Sequence, residues 1–159
     1  MIYTKSSGML IALEQARLAF DKAEVPVGAI IMEAKTGKII ASAHNQVEEL
    51  NDPTAHAEII AIRSAASLLG NARLKGFDLY VTLEPCAMCA QAISLARIRK
   101  LTFGAYDPKG GGVEHGSRVF SHASCHHVPE VIGGVDESIS AGILRKFFLQ
   151  RRKNSIVDK

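Results

Sequence analysis

Two short motifs, each introduced by a proline, constrain this chain more than any other feature of it. The first runs Asp52-Pro53-Thr54-Ala55-His56-Ala57-Glu58 and the second Pro85-Cys86-Ala87-Met88-Cys89. Proline near a first turn signals a helix start, because the N–H it lacks would have no partner there. One helix is expected over residues 55–69, ending near Gly70-Asn71, and another over residues 86–96. The first carries His56 and Glu58 in its opening turn; the second carries Cys86 and Cys89, three apart and so on one face. The unpaired amides and positive dipole end of a helix start lower a thiol's pKa and favour the thiolate that a metal takes. A fold that uses both motifs must bring two helix starts together around one ion.

Taken singly, neither motif is decisive. Cys-x-x-Cys also marks a redox pair, a zinc knuckle or two core cysteines, and His-x-Glu is weaker still. Their joint occurrence at proline-led helix starts points to a shared metal site. The chain has 3 cysteines, too few for a disulfide framework, so the pair reads as metal or redox chemistry first. One histidine and two thiolates suit zinc. Three protein ligands leave a position for water, as catalytic rather than structural sites do, and such a water ionises near a pKa of about 7. Glu58, two residues from His56, is too hard and displaced to be the obvious fourth ligand. It is well placed to carry protons between that water and a substrate nitrogen.

The rest of the chain alternates strand and helix patterns. With 159 residues, 47% of them hydrophobic, it is long and apolar enough for one domain with one core. Residues 10–22 place Leu10, Leu13, Ala16, Leu18 and Phe20 as an amphipathic helix would. Residues 27–32 and 38–43 flank Lys35-Thr36-Gly37 as strand, turn and strand. Residues 78–83 and 100–105 read as strands, residues 127–132 as a last strand, and residues 137–152 as a final amphipathic helix. Residues 1–152 are thus expected to form a single α/β domain of helices layered on a sheet, with residues 153–159 frayed. No apolar run nears membrane-spanning length, and the first residues lack the order of a signal peptide, so a cytoplasmic setting is the expectation. The formal net charge of +3 permits a nucleic-acid partner without requiring one.

At His56-Ala57-Glu58 and Pro85-Cys86-Ala87-Met88-Cys89 the chain resembles the zinc-dependent cytidine and deoxycytidylate deaminase superfamily. Further stretches are similar to its bacterial branch acting on tRNA adenosine: Glu24-Val25-Pro26-Val27-Gly28-Ala29, Gly104-Ala105-Tyr106-Asp107-Pro108-Lys109 and Phe147-Phe148-Leu149-Gln150-Arg151-Arg152. The resemblance implies a three-layer α/β/α fold around a five-stranded mixed sheet, a homodimer and no organic cofactor. It also implies one zinc ion per subunit, held by His56, Cys86 and Cys89. The implied reaction is hydrolysis of adenosine to inosine at the wobble position of a tRNA anticodon stem-loop. A zinc-activated water attacks C6 of the flipped-out base, Glu58 moves the protons, and ammonia leaves.

The same resemblance places Asn45, Ala57, Asp107, Lys109, Phe148, Arg151 and Arg152 on the substrate side. An asparagine amide both donates and accepts, which suits a purine edge. Lys109 suits a phosphate and Asp107 a ribose hydroxyl or base, although both equally fit turn chemistry before the glycines. The final helix carries Arg145, Lys146, Arg151, Arg152 and Lys153 beside Phe147 and Phe148. Phe147 is expected to pack inward while Phe148, Arg151 and Arg152 approach splayed bases. Gly110-Gly111-Gly112 has an extra glycine where the branch usually has alanine, which implies a more mobile loop.

Cys125-His126-His127 reads as a partly buried polar cluster rather than a second metal site, because no partner pattern completes one. His44 borders Asn45 at the pocket, and His115 and His122 read as surface or loop histidines. Two rival readings share these residues. A deaminase of a free base or nucleoside, of guanine or cytosine type, would use the same zinc chemistry, but the arginine-bearing aromatic helix speaks against it. A zinc-stabilised RNA-binding module would need four protein ligands and a dispensable Glu58.

Overall fold

In the computed structural model, which describes residues 5–157, helix α1 (Lys5–Asp21) leads into the hairpin of β1 (Gly28–Glu33) and β2 (Ile39–His44). A single turn, α2 (Val47–Leu50), precedes α3 (Ala57–Leu69) and β3 (Phe77–Leu83). Then come α4 (Ala87–Leu95), β4 (Lys100–Ala105), β5 (Glu130–Ile132) and the long α5 (Glu137–Val157). The strands form one sheet in the order β2-β1-β3-β4-β5. β1 is antiparallel to both neighbours, whereas β3, β4 and β5 run parallel, so the sheet is mixed. Parallel neighbours need a crossover connection, and α4 supplies the one between β3 and β4.

Both faces of the sheet are covered, as the resemblance implied. β1 alternates, sending Ala29 and Ile31 to one face and Ile30 and Met32 to the other. On the first face α3 presents Ala57, Ala61 and Ala65, four apart, and these small side chains let it lie close against Ile31, Leu79 and Val81. Ala90 and Ile93 of α4 join the same cluster. On the second face Met9, Ala12 and Leu13 of α1 meet Ile30, Met32 and Tyr80, with Ile143 of α5 beside them. The approach of α1 to β1 is close: a β-carbon on Gly28 would fall 2.0 Å from the Ala12 carbonyl oxygen.

Several boundaries differ from the sequence expectation, each for a local reason. α3 and α4 begin one residue beyond the expected first-turn histidine and cysteine, so His56 and Cys86 are N-cap residues with extended backbones. α3 ends where expected, with Gly70 in the left-handed conformation at φ 62°. β5 is shorter than residues 127–132, because Pro129 has no N–H for the ladder and the His127 carbonyl is taken by Ser94 Oγ. α5 continues past Arg152 to Val157.

The Gly28 contact yields a direct test. Gly28→Val forces a side chain into the α1 backbone and should lower stability by about 3 kcal/mol, the upper part of the usual range for overpacking. Urea unfolding reads this; a midpoint equal to that of the unmodified protein would contradict the close approach of α1.

Candidate active site

The two helix starts meet as the motifs require. An N-cap side chain folds back over the third residue of its own helix, so Cys86 converges on Cys89 although only Cys89 is helical. His56 Nδ1 lies 3.7 Å from Cys86 Sγ and 3.6 Å from Cys89 Sγ, and the three ligand atoms are all within 4.8 Å of one another. Tetrahedral bonds of about 2.0 Å to nitrogen and 2.3 Å to sulfur set such atoms roughly 3.5 Å apart, so the donor set fits a zinc ion. Among the described residues no fourth His, Cys, Asp or Glu joins the group, which is the donor count of a catalytic site.

Neither His56 nor Cys86 spends its side chain on capping its own helix. Asn45 does part of that work for α3, its Oδ1 accepting the Ala57 N–H at 2.8 Å. The Cys86 thiol is held down to about 4, chiefly by the hydrogen bond it accepts from Cys89 and then by His56. The same pairing, with burial, pushes the Cys89 thiol up. Glu58, in the first turn of α3, is only 4% exposed. Burial is the main reason its carboxyl is raised to about 7, a value suited to taking and giving a proton near neutrality.

His56, Cys86, Glu58 and Asn45 line a cleft of about 310 Å³ together with Glu24, Val27 and Val47. It opens into a groove of about 990 Å³ walled by Tyr106, Lys109, Leu144, Phe148, Arg151 and Arg152. Val25, Leu83, Asp107, Gly110 and Arg151 line both spaces and join them. Phe147 is buried edge-on to Phe20 at 5.8 Å, while its neighbour Phe148 is 43% exposed, as the helix pattern predicted. Arg151 reaches back over the Phe147 ring at 5.5 Å.

The structure therefore brings ten of the eleven candidate site residues to the ion site, the cleft or the groove. Ala57 stands apart, fully buried in the α3 core with its N–H taken by Asn45. That bond orients the Asn45 amide: the oxygen faces Ala57, which leaves the NH2 end on the side of the cleft that Asn45 lines. Asp107 is partly occupied with turn chemistry, its Oδ1 accepting from the Lys109 and Gly110 N–H groups at 3.2 and 2.9 Å.

Three expectations are revised or completed. The glycine loop is packed against the site: Gly111 and Gly112 are buried, and Gly112 donates to the Pro85 carbonyl at 2.8 Å. A β-carbon at Gly112 would fall 2.5 Å from the Ala87 nitrogen, so the glycine is there for lack of volume. Cys125 and His127 are structural, with Ser94 Oγ donating to the His127 carbonyl and His127 Nε2 donating to the Ile98 carbonyl at 2.6 Å. His44 faces Gln15 at 3.4 Å and takes no place in the cleft wall.

Two buried carboxylates at the site were not singled out from sequence. Glu24 accepts the N–H groups of Glu48 and Glu49 and so fixes the turn after Asn45. Glu84 accepts from His115 and from the backbone of the loop that follows β4. Burial opposes its charge, but the His115 bond and the backbone donors outweigh it and hold the carboxyl below its ordinary value. An acidic residue closing a buried strand is the available sequence signal; its backbone partners leave no signature of their own.

Residues 3–105 match the cytidine and deoxycytidylate deaminase zinc-binding region. A guanine deaminase structure from Nitrosomonas europaea, 22% identical, shares the fold at a TM-score of 0.80 over 92% of this chain and 86% of that one. Fold and donor set thus define a zinc-dependent hydrolytic deaminase. A tRNA-specific adenosine deaminase of Agrobacterium fabrum is 57% identical over 144 residues, covering 91% of this chain and 93% of that protein. A structure from a study of A-to-I editing by tRNA:A34 deaminases is 56% identical, with a TM-score of 0.85 over 88% of this chain and 100% of that one. The chain belongs to the tRNA-specific adenosine deaminase family.

Cys86→Ser replaces a soft ligand at the hinge of the donor set. Zinc content, measured by atomic absorption, should drop together with the melting temperature, because metal binding and folding are coupled. A variant that keeps stoichiometric zinc would remove Cys86 from the ligand set.

Proposed function

We propose that this protein deaminates the wobble adenosine of a tRNA anticodon stem-loop to inosine, releasing ammonia. The observation that carries the reading is the lateral opening of the cleft into a groove walled by Phe148, Arg151 and Arg152. A free base needs a closed pocket, whereas a polynucleotide needs a path for the chain on either side of the target. The names of the Agrobacterium fabrum and Bacillus subtilis relatives, the latter 44% identical over 142 residues, agree with this substrate.

His56, Cys86 and Cys89 would hold the zinc ion, which when bound lowers the pKa of a coordinated water to about 7. Glu58 takes a proton from the attacking water and delivers it to N1 of the base. It then carries the remaining hydroxyl proton to the exocyclic nitrogen, which leaves as ammonia, so one water is consumed and one ammonia released. Asn45, with its oxygen committed to Ala57, offers its NH2 group to a ring nitrogen of the purine. Phe148 offers an exposed face for a neighbouring base, and Arg151, Arg152 and Lys109 offer charge to phosphates. An anticodon-loop adenosine is already single-stranded, which lowers the cost of turning it into the cleft.

The working unit in this reading is a homodimer, the assembly that the family resemblance implies. A cytoplasmic setting fits a tRNA substrate, and among the described residues no helix is long and apolar enough to cross a membrane.

Two measurements test the proposal. Inosine formation in an anticodon stem-loop should far outpace ammonia release from free guanine or cytidine; faster turnover of a free base would overturn the RNA assignment. Glu58→Ala should keep zinc and fold while losing turnover by about 10³-fold, within the usual range for a removed general acid–base. Near-normal turnover by that variant would mean that another group carries the protons.

A further inference from the structure

Glu84 closes β3 immediately before Pro85, and its side chain is completely buried. Oε1 accepts the Asp107 N–H at 3.3 Å and faces His115 Nδ1 at 2.8 Å. Oε2 accepts the N–H groups of Val113, Glu114 and His115 at 3.4, 3.3 and 3.2 Å. A β-carbon on Gly111 would fall 2.0 Å from Oε2, so the backbone wraps the carboxylate as closely as glycine permits. Four donors are main-chain groups and one is a side chain. His115 is therefore the point at which this anchor can be weakened without touching the carboxylate.

The anchor lies between two parts that the reaction needs in register. Two residues after Glu84 stands Cys86, and the Pro85 carbonyl between them accepts the Gly112 N–H. At the other end the anchor holds the backbone of Asp107, whose own carboxylate then orders Lys109 and Gly110. The imidazole of His115 stands edge-on to Tyr106 at 6.1 Å, and Tyr106 stands edge-on to Phe103 of β4 at 5.1 Å, which fixes the ring from its other side. Asp107, Lys109 and Gly110 line the groove.

We propose that Glu84 and His115 act as a positioning pair for substrate recognition: by pinning residues 107–115 to the strand that precedes the metal-binding cysteines, they hold Asp107 and Lys109 at a fixed distance from the reacting base. The inference rests on the reading of the groove as an RNA site. His115 lines neither the cleft nor the groove, and Glu84 reaches the cleft wall without joining the donor set. Loss of the His115 side chain therefore loosens the grip on the flanking nucleotides and leaves the proton-transfer groups in place.

His115→Ala and His115→Asn separate this role from a merely structural one, because the Asn amide nitrogen can take the place of Nδ1 as donor. With an anticodon stem-loop, His115→Ala should raise KM about tenfold and leave kcat within about twofold, a misplacement effect confined to binding. Fluorescence anisotropy should show the same loss of stem-loop affinity, zinc content should be unchanged, and His115→Asn should restore most of the KM. An unmoved KM, a fall in kcat with zinc loss, or a His115→Asn variant no better than alanine would each overturn the positioning pair. The unmodified protein, run alongside, tells the two readings apart. If it makes no inosine, the substrate assignment falls; if it does and the His115→Ala KM is unmoved, only the pair falls.

Discussion

The meeting of two helix N-termini at one point is the constraint from which the rest of the molecule follows. Each start carries unpaired N–H groups and a partial positive charge, so placing α3 and α4 tip to tip is unfavourable unless negative charge lies between them. The Cys86 thiol, held down to about 4, supplies that charge, and an ion bound there would tie both starts together. The sheet is arranged to allow it. β3 ends directly in the cysteine motif, and the hairpin partner β2 ends at His44, next to the asparagine that caps α3. The parallel step from β3 to β4 then carries the chain back so that its next loop lies over the same spot.

Much of this was legible because the relevant signals are periodic or carry their own chemistry. The hairpin, the two proline-led helices and the donor triad follow from apolar spacing, helix-start residues and ligand type, and each falls within two residues of its expected place. The difference between a first-turn and an N-cap histidine matters more than its size suggests. As caps, His56 and Cys86 have extended backbones that swing their side chains toward each other, and another residue must satisfy the helix amides. Asn45 does so, and this fixes which end of its amide faces the cleft.

What stayed hidden has a common cause: partners that are backbone groups. Glu84 is one acidic residue among 16 aspartates and glutamates, and nothing in the sequence marks four amides gathering round it. The run of glycines is ambiguous for a related reason. Glycine is chosen either for conformational freedom or for absence of bulk, and composition does not distinguish the two. At Gly111 and Gly112 the second reason holds, since a carboxylate and a helix start occupy the space a side chain would need. The paired phenylalanines of α5 show the opposite case, in which helical periodicity alone sorted an inward from an outward ring.

The stretch from Glu84 to Cys89 serves two masters, since one end holds the loop that follows β4 and the other carries two donors of the candidate zinc site. A change of sequence inside it disturbs catalysis and grip at once, so novelty in this scaffold has little room to arise there. The outer turns of α5 and the exposed tip at Lys109 are bound by no such double duty. Divergence toward other nucleic acids is thus channelled to the periphery, while the chemical centre stays locked by the chain's own economy of position.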